Sequence, residues 1–476
     1  MKTHSEDWLA VWLGLLIFVL ALAALMGADL LGWSAQLKVW IDPAKAIAPV
    51  SKSVSLPPLL SLALTFVFLL VLLTAAAVLL GADARRFAAG FTVVFWLSYA
   101  CWFAGHYAWI AATADKVESF GIPWSLNLTG EAGYILALIV GLIIGNFFTG
   151  AADRLSTAVR PELYIKTAIV IMGAALGVKS AETLGLAANV MFRGLCAVIE
   201  AYLIYWAVVY FLARRYFGFS REWAAPLASG ISICGVSAAI ATGAAIRARP
   251  VVAIMVSSLV VIFAVVELVL LPFLAQLFLH HEPMVAGAWM GLAVKTDGAA
   301  IASGAVTEAL IRARAIAVDG VHYEEGWIVM ATTTTKIFID IFIGIWTFIL
   351  AIIWTTSIDP RPGEKVRVAE IWDRFPKFVI GYLLTFLFML WLCVANKDII
   401  GAAKAATDET NLYRQLFFVM TFLSIGMVTN FARLKEEGIG RLAAVYAVSL
   451  FGFIIWFGLV ISWIFFAGIK PPLAEP

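Results

Sequence analysis

The sequence predicts an all-α polytopic membrane protein of about 13 transmembrane helices, and three observations carry that prediction. Of 476 residues, 63% are hydrophobic and only 13% are Asp, Glu, Lys or Arg, whereas a soluble domain carries roughly 25% charge and 45–50% apolar residues. The mean hydropathy is +0.96. Apolar runs long enough to span a bilayer recur from one end of the chain to the other, and none shows the alternation of a membrane barrel. Together these exclude a disordered chain, a nucleic-acid binder and an ordinary cytosolic enzyme.

The runs, separated by polar breaks, cover 8–27, 57–80 and 88–111, then 133–148, 164–178, 192–213 and 223–246. They continue through 251–278, 284–306, 327–354, 375–394, 412–427 and 442–467. The short charged segment before Trp8 has no small-residue cleavage site after it, so the first run reads as a retained helix. Trp8, Trp33, Trp40 and Trp354 stand near helix ends as interface anchors. Arginine-bearing loops such as Arg85/Arg86, Arg154/Arg160 and Arg214/Arg215 fall on one side and place the N-terminus in the cytoplasm. Lys38, Lys45, Lys52, Arg247 and Arg249 fall on the other.

The net charge of +2 calls for no polyanionic partner. The four cysteines, Cys101, Cys196, Cys234 and Cys393, sit inside apolar stretches without metal-ligand or CxxC spacing, so neither a disulfide framework nor a metal site is indicated. No GxxxxGK[ST] loop and no HExxH motif occurs, which leaves ion-coupled or downhill transport rather than ATP hydrolysis or another enzymatic reaction.

Two segments resemble each other: Gly173 is followed twelve residues on by Gly185, and Gly426 by Gly438. An odd number of helices separates them, which is the arrangement of inverted transporter repeats. A pairing of 133–278 with 284–467 satisfies the helix count equally well. The chain accordingly divides into three accessory helices over 1–115, a first transporter half over 131–278 and a second over 284–468.

Three clusters carry chemistry. In 229–239, glycines, serines and a cysteine crowd a mid-span position where lipid-facing helices carry Leu and Val. Small residues allow close helix crossing. They also suit a helix broken near Gly235, whose freed amides and the Ser232 and Ser237 hydroxyls face a polar cavity and favour an anion. In 293–304, Lys295, Thr296 and Asp297 interrupt an apolar span. A charge there costs about 2.5–3.5 kcal/mol and so faces a cavity or a partner, unless the helix ends early. In 332–340, four threonines precede Lys336 and Asp340, which share one helix face and can pair. Glu200 and Glu267, each alone in an apolar run, read as either coupling or structural groups, and Asn146, Thr429 and Asn430 mark helix ends. His280 and His281 read as interfacial.

The run Ser232-Ile233-Cys234-Gly235-Val236-Ser237-Ala238 resembles the Ile-Cys-Gly-x-Ser-Ala signature of the putative sulfate exporter family. The likeness extends over about two-thirds of the chain in the order of its helices and glycines, and Glu6-Asp7-Trp8 fits the longer members. The resemblance implies a bacterial plasma-membrane secondary transporter for sulfate or organosulfonates, laid out like sodium/proton antiporters with inverted repeats and crossed broken helices. The chain departs from its relatives at Lys295–Ala299, where many carry His-Asp/Glu-x-x-Gln, and at Ile339 and Asp340, where they carry an arginine one turn after the lysine matching Lys336. Both lysines remain, which keeps the anion preference.

The expectation is therefore a multi-pass inner-membrane transporter of a small anion, working without a cofactor or nucleic acid and forming a homodimer by analogy of fold. Ser232, Cys234, Gly235, Ser237, Lys295, Thr296, Lys336, Thr429 and Asn430 form the substrate site, and Asp297 or Asp340 couples a proton or sodium ion. The rival is a cation/proton antiporter in which Asp297 or Asp340 binds the transported ion.

Overall fold

The computed structural model describes residues 5–126, 128–360, 368–431 and 440–474. Its helices run, in chain order, as α1 (Glu6–Leu22), α2 (Pro58–Leu79), α3 (Ala84–Gly105), α4 (Ala132–Phe147) and α5 (Pro161–Glu182). Next come α6 (Leu184–Arg215), α7 (Arg221–Ser232), α8 (Ser237–Ala245), α9 (Pro250–Phe278), α10 (Pro283–Ala293) and α11 (Asp297–Asp319). The last are α12 (Trp327–Ile358), α13 (Phe378–Ala395), α14 (Ile400–Val428) and α15 (Gly440–Phe466). The only sheet among the described residues is a short antiparallel pair, β1 (Ala35–Leu37) with β2 (Ile47–Pro49), in register Gln36 to Ala48. Among the described residues, ten helices are long and apolar enough to cross a membrane, and α4 adds an eleventh if it is joined to the short helix that follows it after a 111° bend. The interrupted pairs α7/α8 and α10/α11 are not among these ten. The chain is an all-α polytopic membrane protein.

Two compact units are each drawn from separate stretches of chain. The first comprises Met1–Ala187, Ala313–Val321 and Lys377–Thr429. Its centre is α5, which packs on α1, α13 and α14 and buries nearly all of its length. Close approach is possible because small residues line the seams. A β-carbon on Gly173 would press on the Tyr382 carbonyl, and one on Gly426 would meet the Leu138 carbonyl of α4 at 2.5 Å. These two glycines are the matched positions of the sequence comparison, and both serve helix contact. Gly438, the last member of that comparison, lies outside the described residues.

Charge fixes α1 in this unit. Arg160 bonds Glu6 at 2.6 Å, and Lys166, on α5, reaches both Asp7 at 2.7 Å and Glu162 at 3.1 Å. Ser5 caps α1 by accepting from the Trp8 amide at 3.4 Å. Beyond α1, Asp29 organises the loop by accepting from the Gly32 amide at 2.6 Å and the Ser53 hydroxyl at 3.0 Å. Burial pushes the Asp29 carboxyl up, but hydrogen bonds led by Ser51 and Ser53 outweigh it and hold it below the usual range.

The second unit comprises Ala188–Arg312, His322–Pro376 and Asn430–Pro476. Here α10 is wholly buried, packed between α12 and α15. Gly287 and Gly291 let it approach the α12 carbonyls of Ile328 and Thr332. α6 is interrupted by a π-turn over Glu200–Tyr205, and α15 by another over Leu450–Ile454. Such bulges leave carbonyls without their i+4 donor. Tyr205 donates its hydroxyl to the Ile454 carbonyl at 3.1 Å, and the Trp289 indole donates to the Ile455 carbonyl at 2.8 Å.

Candidate functional site: two crossed helix breaks

The second unit contains two interrupted helices, and their interruptions touch. The first lies at 233–236, between α7 and α8. Pro226 sits within α7 and cannot donate to its own helix. Ile233 then leaves the helical region at φ −106° and ψ −82°. The second lies at 294–296, between α10 and α11, where Val294 is extended at ψ 126°. The run 284–306, which reads in sequence as one apolar span, is thus two helices.

Each break satisfies the other's backbone. The Gly235 amide donates to the Lys295 carbonyl at 2.7 Å. The Lys295 amide donates to Glu267 Oε2 of α9 at 2.9 Å, and Glu267 Oε1 accepts from the Tyr446 hydroxyl of α15 at 2.8 Å. At membrane depth an unpaired amide costs several kcal/mol, so these bonds make the breaks tolerable. Thr296 caps α11: its hydroxyl accepts from the Ala299 amide at 3.2 Å, and Asp297 opens the helix where the dipole favours a carboxylate.

The crossing also explains Gly235. A β-carbon there would overlap Val260 of α9 and sit 3.0 Å from the Thr296 methyl. Gly235→Val is expected to destabilise the protein by about 1–3 kcal/mol through overpacking. Thermal unfolding in detergent checks this, and a melting temperature equal to the parent's would show that the two breaks are not pressed together.

The two lysines sit on the carbonyl ends of the broken helices, where the helix dipole favours a cation. Lys336 of α12 donates to the Ile233 carbonyl at 2.8 Å and the Lys295 carbonyl at 3.3 Å. Its ammonium is 3.4 Å from Asp297 Oδ1, and both side chains are almost fully buried. Lys295 donates to the Leu292 carbonyl at the end of α10 and lies 4.5 Å over the Tyr205 ring. Cys234, Asp297 and Asp340 present a sulfur and two carboxylate oxygens within 4.8 Å of one another. Lys336 already supplies a positive charge there, so no metal is assigned to this cluster.

Of the residues singled out in the sequence, Ser232, Cys234, Gly235, Ser237, Lys295, Thr296, Asp297, Lys336 and Asp340 all belong to this unit, and most lie in or beside the breaks. Ser232 is fully buried, and its hydroxyl has no hydrogen-bond partner among the described residues. Ser237 opens α8. Thr429 belongs to the first unit, where its hydroxyl bonds the Ile425 carbonyl at 2.7 Å and its carbonyl accepts from Asn146 at 2.9 Å. Asn430 begins the last stretch of the second unit.

Three contributors escaped the sequence reading: Tyr205, Tyr446 and Glu308. Glu308 is buried on α11 and accepts from the Gly326 and Val329 amides, the latter at 2.8 Å, which caps the helix carrying Lys336. A glutamate two residues past the apolar run 284–306 was the available signal; for the tyrosines there was none.

The profile of a family described as "Conserved hypothetical protein 698" matches residues 124–445. The UPF0324 membrane protein NE0724 of Nitrosomonas europaea is 44% identical over 99% of this chain and 97% of its own. The chain belongs to the UPF0324 family. This family corresponds to the putative sulfate exporters, in agreement with the Ser232–Ala238 signature. The UPF0324 membrane protein RB9488 of Rhodopirellula baltica is 30% identical over 75% of this chain and 59% of its own. An uncharacterized protein of Archaeoglobus fulgidus is 51% identical over 30% of this chain and 87% of its own. No solved structure matches at a significant level. As a UPF0324 protein with ten long apolar helices among its described residues, the chain is a multi-pass protein of the bacterial inner membrane.

Proposed function

We propose that the protein is a secondary transporter that carries a small anion, of the sulfate or organosulfonate kind, across the plasma membrane together with protons or sodium. The observation that supports this reading most is the meeting of two broken helices at buried lysines, since irregular backbone at membrane depth belongs where a cavity or pathway is lined. Lys295 balances the substrate charge and Lys336 supports it, with Ser232, Cys234, Gly235, Ser237 and Thr296 completing the site. Thr429 and Asn430 are proposed members on sequence grounds alone. Transport follows from an elevator-like movement of a core bundle against a scaffold within a homodimer, both taken from fold analogy. The same analogy brings the inverted repeat.

Charge bookkeeping shapes the mechanism. Lys295 and Lys336 share the region with four buried carboxyls, Glu200, Glu267, Asp297 and Asp340. With every group ionised the region would repel an anion, so anion entry requires proton uptake by carboxyls. Proton–anion symport is the simplest scheme that meets this.

The same acid excess, with Asp297 and Asp340 gathered beside Cys234, favours a second reading: a cation/proton antiporter with Lys336 as counter-charge. Proteoliposomes separate the two. A sulfate or methanesulfonate gradient at constant sodium is expected to drive uptake with alkalinisation outside. Sodium-driven proton flux with no dependence on either anion would defeat the anion reading.

A further inference from the structure

Glu200 is the one carboxyl of the second unit's buried region to which the crossing gives no evident role. It lies in the π-turn of α6 and is only 2% exposed, and among the described residues the Tyr205 hydroxyl is the one hydrogen-bonding group set beside its carboxyl. Glu267 is its opposite, taking one donor on each oxygen. A carboxylate only accepts, so two donors serve Glu267 better than one shared hydroxyl serves Glu200. Tyr205, from the same turn, has one hydroxyl hydrogen, placed between the Ile454 carbonyl at 3.1 Å and Glu200. It can donate to an ionised Glu200, or donate to Ile454 and accept from a protonated Glu200, so the site holds either state.

The other charged groups around this turn are few. Lys295, from the α10/α11 break, lies over Tyr205 and within electrostatic range of Glu200. Glu267 and Tyr446 stand on the backbone side of Lys295. Tyr202, on the same turn, donates to the Ile339 carbonyl beside Asp340 on α12, the helix that also carries Lys336. From α7, which packs against the turn, the nearby polar groups are the uncharged Ser229 and Ser232, and its charged residues Arg221 and Glu222 sit in its first turn.

We infer that Glu200 is a proton-binding site linked to occupancy of Lys295. When Lys295 holds no ligand, an ionised Glu200 answers its charge; when an anion takes Lys295, Glu200 accepts one proton from solution and becomes neutral. The step forms one O–H bond and breaks none in the substrate. It names the coupling group of the proposed symport and rests on the anion reading above. It moves the coupling proton from Asp297 or Asp340, where the sequence placed it, to Glu200.

The test is calorimetric titration of the purified full-length protein with sulfate and with methanesulfonate, in buffers of different ionisation enthalpy. The wild type is expected to take up about one proton per anion, with affinity falling about tenfold per pH unit once Glu200 is ionised in the free protein. Glu200→Gln keeps the shape and fixes the neutral form; it should bind with no proton uptake and a flat pH profile. Asp340→Asn should retain proton uptake. Undiminished uptake in Glu200→Gln overturns the inference and leaves anion transport standing, whereas a wild type that binds neither anion overturns both. Should Glu200→Gln fail to fold, infrared difference spectra of the wild type with and without sulfate decide. A carboxylic-acid carbonyl band that appears on binding and shifts in Glu200→Asp supports the inference, and its absence overturns it.

Discussion

Replacing Lys336 with methionine is expected to cost about 3–5 kcal/mol of stability, the typical penalty for stripping one partner from a buried charged group. The reason is geometric. One ammonium answers Asp297 at 3.4 Å, the Ile233 carbonyl at 2.8 Å and the Lys295 carbonyl at 3.3 Å. Asp340 lies one turn further along the same helix, where it adds to the charge that Lys336 balances. Methionine fills similar volume, so the loss reports charge and hydrogen bonds rather than a cavity. Adding Asp297→Asn should return part of the loss, because an amide can share hydrogen bonds without needing a counter-ion. Thermal or denaturant unfolding in detergent provides the measurement. A Lys336→Met protein as stable as the parent, or a double variant no better than the single one, would show that the ammonium is not what joins the two breaks.

How much of this was legible in the sequence differs sharply between the two breaks. The 229–239 stretch announced itself because Ser, Cys and Gly crowd a position that lipid-facing helices fill with branched residues. The break at 294–296 did not. Lys295 and Asp297 marked the place, but Met284–Gly304 keeps the composition of one continuous span, and no proline or glycine stands between Val294 and Thr296. What ends α10 is distant in sequence: the Glu267 carboxylate and the Gly235 amide, which take the Lys295 amide and carbonyl. Single-helix periodicity holds no information about such partners. The pairing of Lys336 with Asp340 by spacing was likewise incomplete, since Lys336 also pairs with Asp297, from another helix. Tyr205 and Tyr446 were invisible for a different reason. Aromatic residues make up 13% of this chain, so one more within a helix carries no signal until its hydroxyl is seen to meet a carbonyl or a carboxylate.

Lys295→Met should remove anion binding while leaving the fold in place, and the structure explains why these two effects separate. The link that fixes the α10/α11 break runs through the Lys295 backbone, by its amide to Glu267 and its carbonyl to Gly235. A side-chain change leaves those bonds intact. The side chain itself hydrogen-bonds the Leu292 carbonyl and lies over the face of Tyr205, and Glu200, which answers its charge in the ligand-free protein, can take up a proton when the ammonium is gone. An approaching anion can replace neither of those neutral contacts, yet it gains the full positive charge of a side chain that is 1% exposed. Removing one partner of such a buried charge pair costs about 2–5 kcal/mol of binding, or about 1.5 to 3.5 orders of magnitude in affinity. The stabilisation of the melting temperature by saturating sulfate or methanesulfonate, which follows ligand occupancy of the native state, should therefore vanish in Lys295→Met. The ligand-free melting temperature should stay close to the parent's. If the variant is stabilised by these anions as strongly as the parent, Lys295 does not carry the substrate charge. If instead its anion response is lost but sodium-dependent proton flux persists unchanged, the acid cluster around Asp297 and Asp340 is the transport site, and Lys295 only seals the end of α10.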